Sequence, residues 1–171
     1  MYKPIEYSYQ VSPNVFAGEH PLFDIYKSSI RGNIPMLLKF GITVFLDLTQ
    51  SYEVPEYASF LPSDVQRISF PIRNFDVPSS VESVMNLFRR LEQLIHERPH
   101  AKLYIHCHGG VGRTGTIVAC YYIYFEHLSF EESLDKMKRK YAQSPRSRIM
   151  DAPETKSQVE FVRRFAEYNG I

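Results

Sequence analysis

A chain of 171 residues with 44% hydrophobic content is long enough for one domain with a sizeable core. Lysine and arginine number 20 against 19 acidic residues, and the net charge of +1 excludes the basic footprint of a nucleic-acid binder or of a protein held on an acidic membrane surface. Two cysteines, Cys107 and Cys120, make no disulfide framework, and no apolar run approaches the roughly 20 residues that span a bilayer.

The start, Met-Tyr-Lys-Pro-Ile-Glu-Tyr, lacks the apolar core of a signal peptide. A cytoplasmic location follows as the expectation, although secretion without a signal would leave the same sequence. Strands are expected at Val15–Ala17, Ile42–Leu46, Val65–Phe70 and Leu103–Ile105, where β-branched and aromatic residues cluster. Helical stretches are expected over Pro21–Lys39, broken around Gly32 and Pro35, and over Ser80–Arg98. Ser79 with Glu82 three residues on reads as a capping box for the second stretch, and Ser129 with Glu132 repeats the device for a helix reaching Ala142. A last helix is expected from Pro153 to Tyr168, with proline suited to its first turn. Strands alternating with helices, then a helical C-terminal third, predict an α/β fold with a central, mostly parallel sheet flanked by helices. No repeat or linker divides the chain, so a single domain over 1–171 is expected.

One stretch names a chemistry. His106-Cys-His-Gly-Gly-Val-Gly-Arg-Thr-Gly-Thr116 runs from a strand-like segment, Lys102–His106, into a helix-like one beginning at Thr116. Glycines at 109, 110 and 112 allow the backbone of His108, Gly109, Gly110, Val111 and Gly112 to turn its N–H groups inward around an anion. The helix N-terminus adds its partial positive charge, and Arg113 can grip two phosphate oxygens through its planar fork. Whatever favours a bound phosphate also favours a thiolate at Cys107, the nucleophilic form of the residue. Attack on phosphorus would give a phosphocysteine that water then hydrolyses. Thr114 can donate its hydroxyl to sulfur as it leaves, and His106 is placed to brace the loop.

Cys107-x5-Arg113-Thr114 with His106 before it resembles the signature of the cysteine-dependent protein tyrosine phosphatase superfamily, in its compact dual-specificity-like, bacterial-type branch. The resemblance implies a tyrosine-phosphatase-like fold and an aspartate general acid on a loop upstream of the cysteine. The matching segment is Phe70-Pro-Ile-Arg-Asn-Phe-Asp-Val-Pro-Ser79, with one departure: Asn74 stands four before Pro78, where the family's aspartate sits, and Asp76 follows two residues later. Asparagine cannot donate a titratable proton. Either Asp76 swings in as the acid, or Asn74 marks an enzyme slow on poor leaving groups. An aspartate in a loop also commonly serves its own backbone.

Looser matches lie elsewhere. Gly41–Thr49 with Glu53 and Tyr57 resembles a strand and loop at the pocket rim, from which Asp47 and Glu53 could order the loop or contact Arg113. Ala152–Val162 resembles the segment that supplies a water-positioning glutamine; Glu154 stands at its first glutamine position, and Gln158 keeps the second. Arg146 or Arg148 could steer phosphosubstrates at the rim, and His108 is placed to modulate the thiolate or touch substrate. His106-Cys107-His108 falls short of the four converging ligands of a zinc site, so neither metal nor cofactor is expected. Cys120 lies roughly 20 Å along the following helix at 1.5 Å per residue, too far for a redox pair with Cys107.

The leading expectation is a monomeric enzyme that hydrolyses phosphotyrosine, and also phosphoserine or phosphothreonine, in proteins. The absence of lysine between Cys107 and Arg113 argues mildly against the phosphoinositide branch, while inositol phosphates and other small phosphoesters stay open. A low-turnover phosphate-binding module is the alternative that Asn74 motivates. Sulfur or arsenate transfer lacks a nearby resolving cysteine.

Overall fold

The computed structural model describes residues 2–23 and 31–171. Among the described residues five strands form one sheet: β1 (Ser8–Ser12), β2 (Val15–Gly18), β3 (Ile42–Asp47), β4 (Gln66–Ser69) and β5 (Lys102–His106). Their order across the sheet is β1-β2-β5-β3-β4. Only the β1–β2 pair is antiparallel, and β5, the strand that delivers Cys107, lies between parallel neighbours β2 and β3. The mostly parallel sheet matches the expectation; β1 was not foreseen.

Alternation on these strands sorts side chains to two faces. Leu103 and Ile105 join the larger core, while Tyr104 joins the smaller one. On β3 the pattern is re-phased by an irregularity between Ile42 and Val44, which face opposite cores although two residues apart. The extra residue, Thr43, spends its hydroxyl on the amide of Lys102 at 3.3 Å, as a bulge permits.

Helices cover both faces: α1 (Ile34–Phe40), α2 (Val81–Glu97), α3 (Gly112–Glu126), α4 (Phe130–Tyr141) and α5 (Lys156–Tyr168). Ile34 and Leu37 of α1 close the smaller core with Phe16, Phe45 and Tyr104. The remaining four helices enclose the larger one. α3 is buried from Gly112 to Ile123, with Cys120 fully inside, so it reads as apolar all round rather than amphipathic.

Several boundaries differ from the sequence expectation. Among the described residues the stretch expected from Pro21 is helical only from Ile34; residues 24–30 lie outside the description. The α2 box is Ser80 with Ser83, whose amide reaches Ser80 Oγ at 3.0 Å, leaving Glu82 to pair with Arg89. Serine at N3 closes the same reciprocal ring one residue later than Ser79 and Glu82 would. Ser129 and Glu132 do cap α4, through bonds of 3.2 and 2.9 Å. The last helix starts at Lys156 rather than Pro153, because Thr155 and Gln158 form its box. That shift leaves 152–155 outside the helix, packed against the start of α3 at Gly112 and Gly115. None of the described helices is long and apolar enough to cross a membrane.

Candidate active site

β5 ends at His106, and the chain turns through Cys107–Val111 into the N-terminus of α3. A cavity of about 170 Å³ opens there, lined by Asn74, Phe75, Cys107, His108, Gly109, Val111, Arg113, Arg146, Met150 and Glu154. Cys107 is almost fully buried at its floor. Val111, at the N-cap of α3, offers no side-chain bond, so the helix's first amides are left for a ligand or a neighbouring loop.

Gly110 makes the turn possible. Its φ of +73° suits glycine, and a Cβ there would overlap the backbone carbonyl of Gly18. The loop is tied to β2's exit by the amide of His20, which donates to the carbonyl of His108 at 2.9 Å. His106, fully buried, lies 3.1 Å from the carbonyl of Cys107 through Nδ1 and 2.7 Å from Tyr57 Oη through Nε2. Burial holds its imidazole below the usual histidine range, against the nearby Asp47 carboxylate. A neutral ring bonded on both sides is a brace for the nucleophile's backbone.

Arg113 is held as rigidly. Its fork meets both oxygens of Glu53 at 2.7 and 2.9 Å, and Nη1 also donates to the carbonyl of Ile72 at 2.9 Å. Burial opposes its charge, but Glu53 and the Cys107 sulfur outweigh that and raise its pKa further. Glu53 in turn is held below the usual carboxylate range, with burial opposing and Arg113 prevailing. Asp47 serves a different cation, Arg67, at 2.9 Å, and takes two bonds from Thr49.

The other side chains suggested by the sequence are dispersed. Asn74 reaches the wall but turns its Oδ1 to the amide of Phe75. Asp76 is exposed, is not among the lining residues, and accepts from the amide of Val77 at 2.8 Å. Thr114 Oγ1 is buried with no hydrogen-bond partner among the described residues, so a bond to Cys107 is not formed here. Gln158 is fully buried behind the wall. Its Oε1 accepts from the amides of Glu154 and Thr155, and Nε2 donates to the carbonyl of Asp76 at 3.2 Å. Its amide is thus spent on backbone, tying the two loops at the mouth to each other. Arg146 lines the wall, paired with Glu19 at 2.8 Å, while Arg148 is exposed and outside it.

Three wall residues carry more than the sequence suggested. Glu154 places its carboxylate where a Cβ at Gly112 would collide with it, and it accepts the Gly112 amide. Phe75 and Met150 present apolar surface at the mouth. Phe75 follows the departure at Asn74, and a bulky residue at that point was the available signal. For Glu154 the signal was a carboxylate in place of an amide.

A family model described as Swiss Army Knife protein, DSP-PTPase phosphatase domain, matches residues 24–162. The candidate tyrosine phosphatase 067L of Invertebrate iridescent virus 3 is 31% identical over 108 residues, 61% of this chain and 44% of the viral protein. Its counterpart 197R of Invertebrate iridescent virus 6 is 27% identical over 143 residues, 80% of this chain and 50% of its own. The chain therefore spans about half the length of the curated relatives it matches. Among solved structures, Tk-PTP in its active form superposes with a TM-score of 0.76 at 25% identity, covering 94% of this chain and 97% of that one.

Proposed function

The chain belongs to the DSP-PTPase phosphatase-domain family, and from that premise we propose that it hydrolyses phosphotyrosine in proteins through a phosphocysteine on Cys107. The observation that carries this reading is the cavity's profile. Cys107 and Arg113 lie deep, and the exposed ring of Phe75 with Met150 borders the opening, a channel suited to a flat aryl group behind a phosphate.

In the first step sulfur attacks phosphorus in line and the phosphorus–oxygen bond to tyrosine breaks. Loop amides and Arg113 hold the equatorial oxygens as charge shifts between them. In the second step water attacks the phosphocysteine and sulfur departs; the unpartnered Thr114 hydroxyl, one residue beyond Arg113, is available to donate to it. His106 keeps the Cys107 carbonyl fixed throughout. A reducing cytoplasm suits the free Cys107 and Cys120 and supports action there.

A second reading, a small phosphoester such as an inositol phosphate, is favoured by Arg146, whose guanidinium on the wall could take a second anionic group. A substrate panel decides: phosphotyrosyl and phosphoseryl peptides, phosphoinositides and inositol phosphates, with Cys107→Ser as blank. The highest kcat/KM is expected for phosphotyrosyl peptides. A preference for inositol phosphates would overturn the protein-substrate reading.

A further inference from the structure

We infer that Glu154 is the group that protonates the departing oxygen and then takes the proton from the attacking water. The inference rests on the phosphatase reading above. Expelling a phenolate calls for a proton from a group at the reacting centre. Among the described residues lining the cavity, Glu154 supplies the only carboxylate. Asn74 has no such proton to give, and Asp76 is turned to the amide of Val77 outside the wall.

The surroundings of Glu154 look built to hold it there. Gly112 has no side chain where the carboxylate sits, so the carboxylate packs directly on the phosphate loop. Gln158 accepts from the amides of Glu154 and Thr155 at 2.9 and 3.1 Å and fixes their backbone. Pro153 before and the capped start of α5 after leave Glu154 and Thr155 little freedom. Half-burial raises the Glu154 pKa above the usual carboxylate range, although the Gly112 amide and Arg113 pull it down. A carboxyl so shifted is protonated over a wider pH range, which an acid catalyst requires.

The chemistry balances with no further reactant. The phosphorus–oxygen bond breaks, its electron pair takes the Glu154 proton, and the free phenol leaves with Cys107 bonded to phosphorus. Water then adds to phosphorus and gives its proton to the Glu154 carboxylate. The sulfur–phosphorus bond breaks, returning the thiolate and releasing inorganic phosphate. Glu154 ends as it began, protonated.

The test compares Glu154→Gln and Asp76→Asn with the wild type on two substrates: a phosphotyrosyl peptide, with a poor leaving group, and an aryl phosphate whose phenol is strongly acidic. Asparagine at 76 can still accept the Val77 amide, and glutamine at 154 can still accept the Gly112 amide. Glu154→Gln is expected to lose roughly 100-fold or more on the peptide and less than about tenfold on the acidic phenol. The descending high-pH limb of wild-type kcat/KM should flatten in the same variant. Both substrates are read on one preparation, so partial unfolding cancels from their ratio. An equal loss on both substrates, a loss below threefold on the peptide, or a larger peptide loss in Asp76→Asn overturns the inference. If the wild type instead turns over no faster than Cys107→Ser on any phosphotyrosyl substrate, the phosphatase reading itself falls.

Discussion

The floor of the cavity and its mouth are built on opposite plans. At the floor, Cys107, Arg113 and His106 are buried, and His106 and Arg113 are bound on several sides by the Cys107 carbonyl and by residues from the loop after β3 and the loop after β4. At the mouth, Asn74, Phe75 and Asp76 are exposed and bonded chiefly to their own loop. On the proposed phosphatase reading, the floor would cradle a group common to every phosphomonoester. On the same reading the mouth would meet what differs between substrates, and its exposed side chains can change without unfolding the protein. Floor substitutions should therefore cost stability and activity together, and substitutions of the exposed mouth side chains activity alone.

The largest stability effect is expected at Gly110→Ala. A left-handed φ in a non-glycine residue costs roughly 1–2 kcal/mol, and overlap with the Gly18 backbone adds to it. A loss of about 3 kcal/mol or more should appear in thermal or urea unfolding, with turnover abolished. An unchanged melting temperature would show that the loop does not need this turn.

Glu53→Ala comes next. Arg113 is 1% exposed and Glu53 11%, so removing the carboxylate strands a buried cation. Because Glu53 keeps one edge toward solvent, a loss of about 2 kcal/mol is expected, below the 3–5 of fully buried pairs. The pH dependence carries the same sign. The Glu53 pKa is lower folded than unfolded, so its contribution is present above the unfolded value and disappears as pH falls through the folded one. The gap between wild type and Glu53→Ala should therefore close on acidification; a gap independent of pH would refute the charge pairing.

Gln158→Ala tests the tie between the two mouth loops. Two amides and the Asp76 carbonyl lose their partner, about 1–2 kcal/mol after water fills in. If Gln158 acts by placing Glu154, kcat on phosphotyrosyl peptides should fall with KM little changed. A fall in KM affinity alone would assign it to the substrate wall instead.

How much of this was legible beforehand follows the same division. The strand, the glycine-rich turn, Cys107 and Arg113 lie within a dozen residues, and local conformational rules link them to one another. The partners of that loop are far off in sequence: Tyr57 meets His106 across 49 residues and Glu53 meets Arg113 across 60. Resemblance alone pointed to Glu53, and neither periodicity nor spacing could have. β1 escaped because an edge strand paired on one side, Ser-Tyr-Gln-Val-Ser, carries a short and half-polar pattern. Asp76 attracted attention by its residue type, but the direction of a side chain in an irregular loop is set by φ and ψ, which composition does not encode. The helix boundary at Lys156 shows the reverse: Thr155 and Gln158 spelled a capping box that proline at 153 obscured.

The smallest effect discriminates best between floor and mouth. Phe75 has φ +62° and a side chain that is 60% exposed, a combination with a conformational cost and little burial to offset it. Glycine at 75 relieves the left-handed strain, so Phe75→Gly should be as stable as wild type or about 1 kcal/mol more so. If the ring exists to cover the aryl group of phosphotyrosine, the same variant should raise KM for phosphotyrosyl peptides roughly three- to tenfold, the worth of one aromatic contact. KM for phosphoseryl peptides, which lack the ring, should barely move. Stability rising while aryl affinity falls would mean that the loop carries strain for recognition. A parallel loss on both peptide classes would mean that Phe75 supports the loop's shape, and the cavity mouth would then belong with its floor.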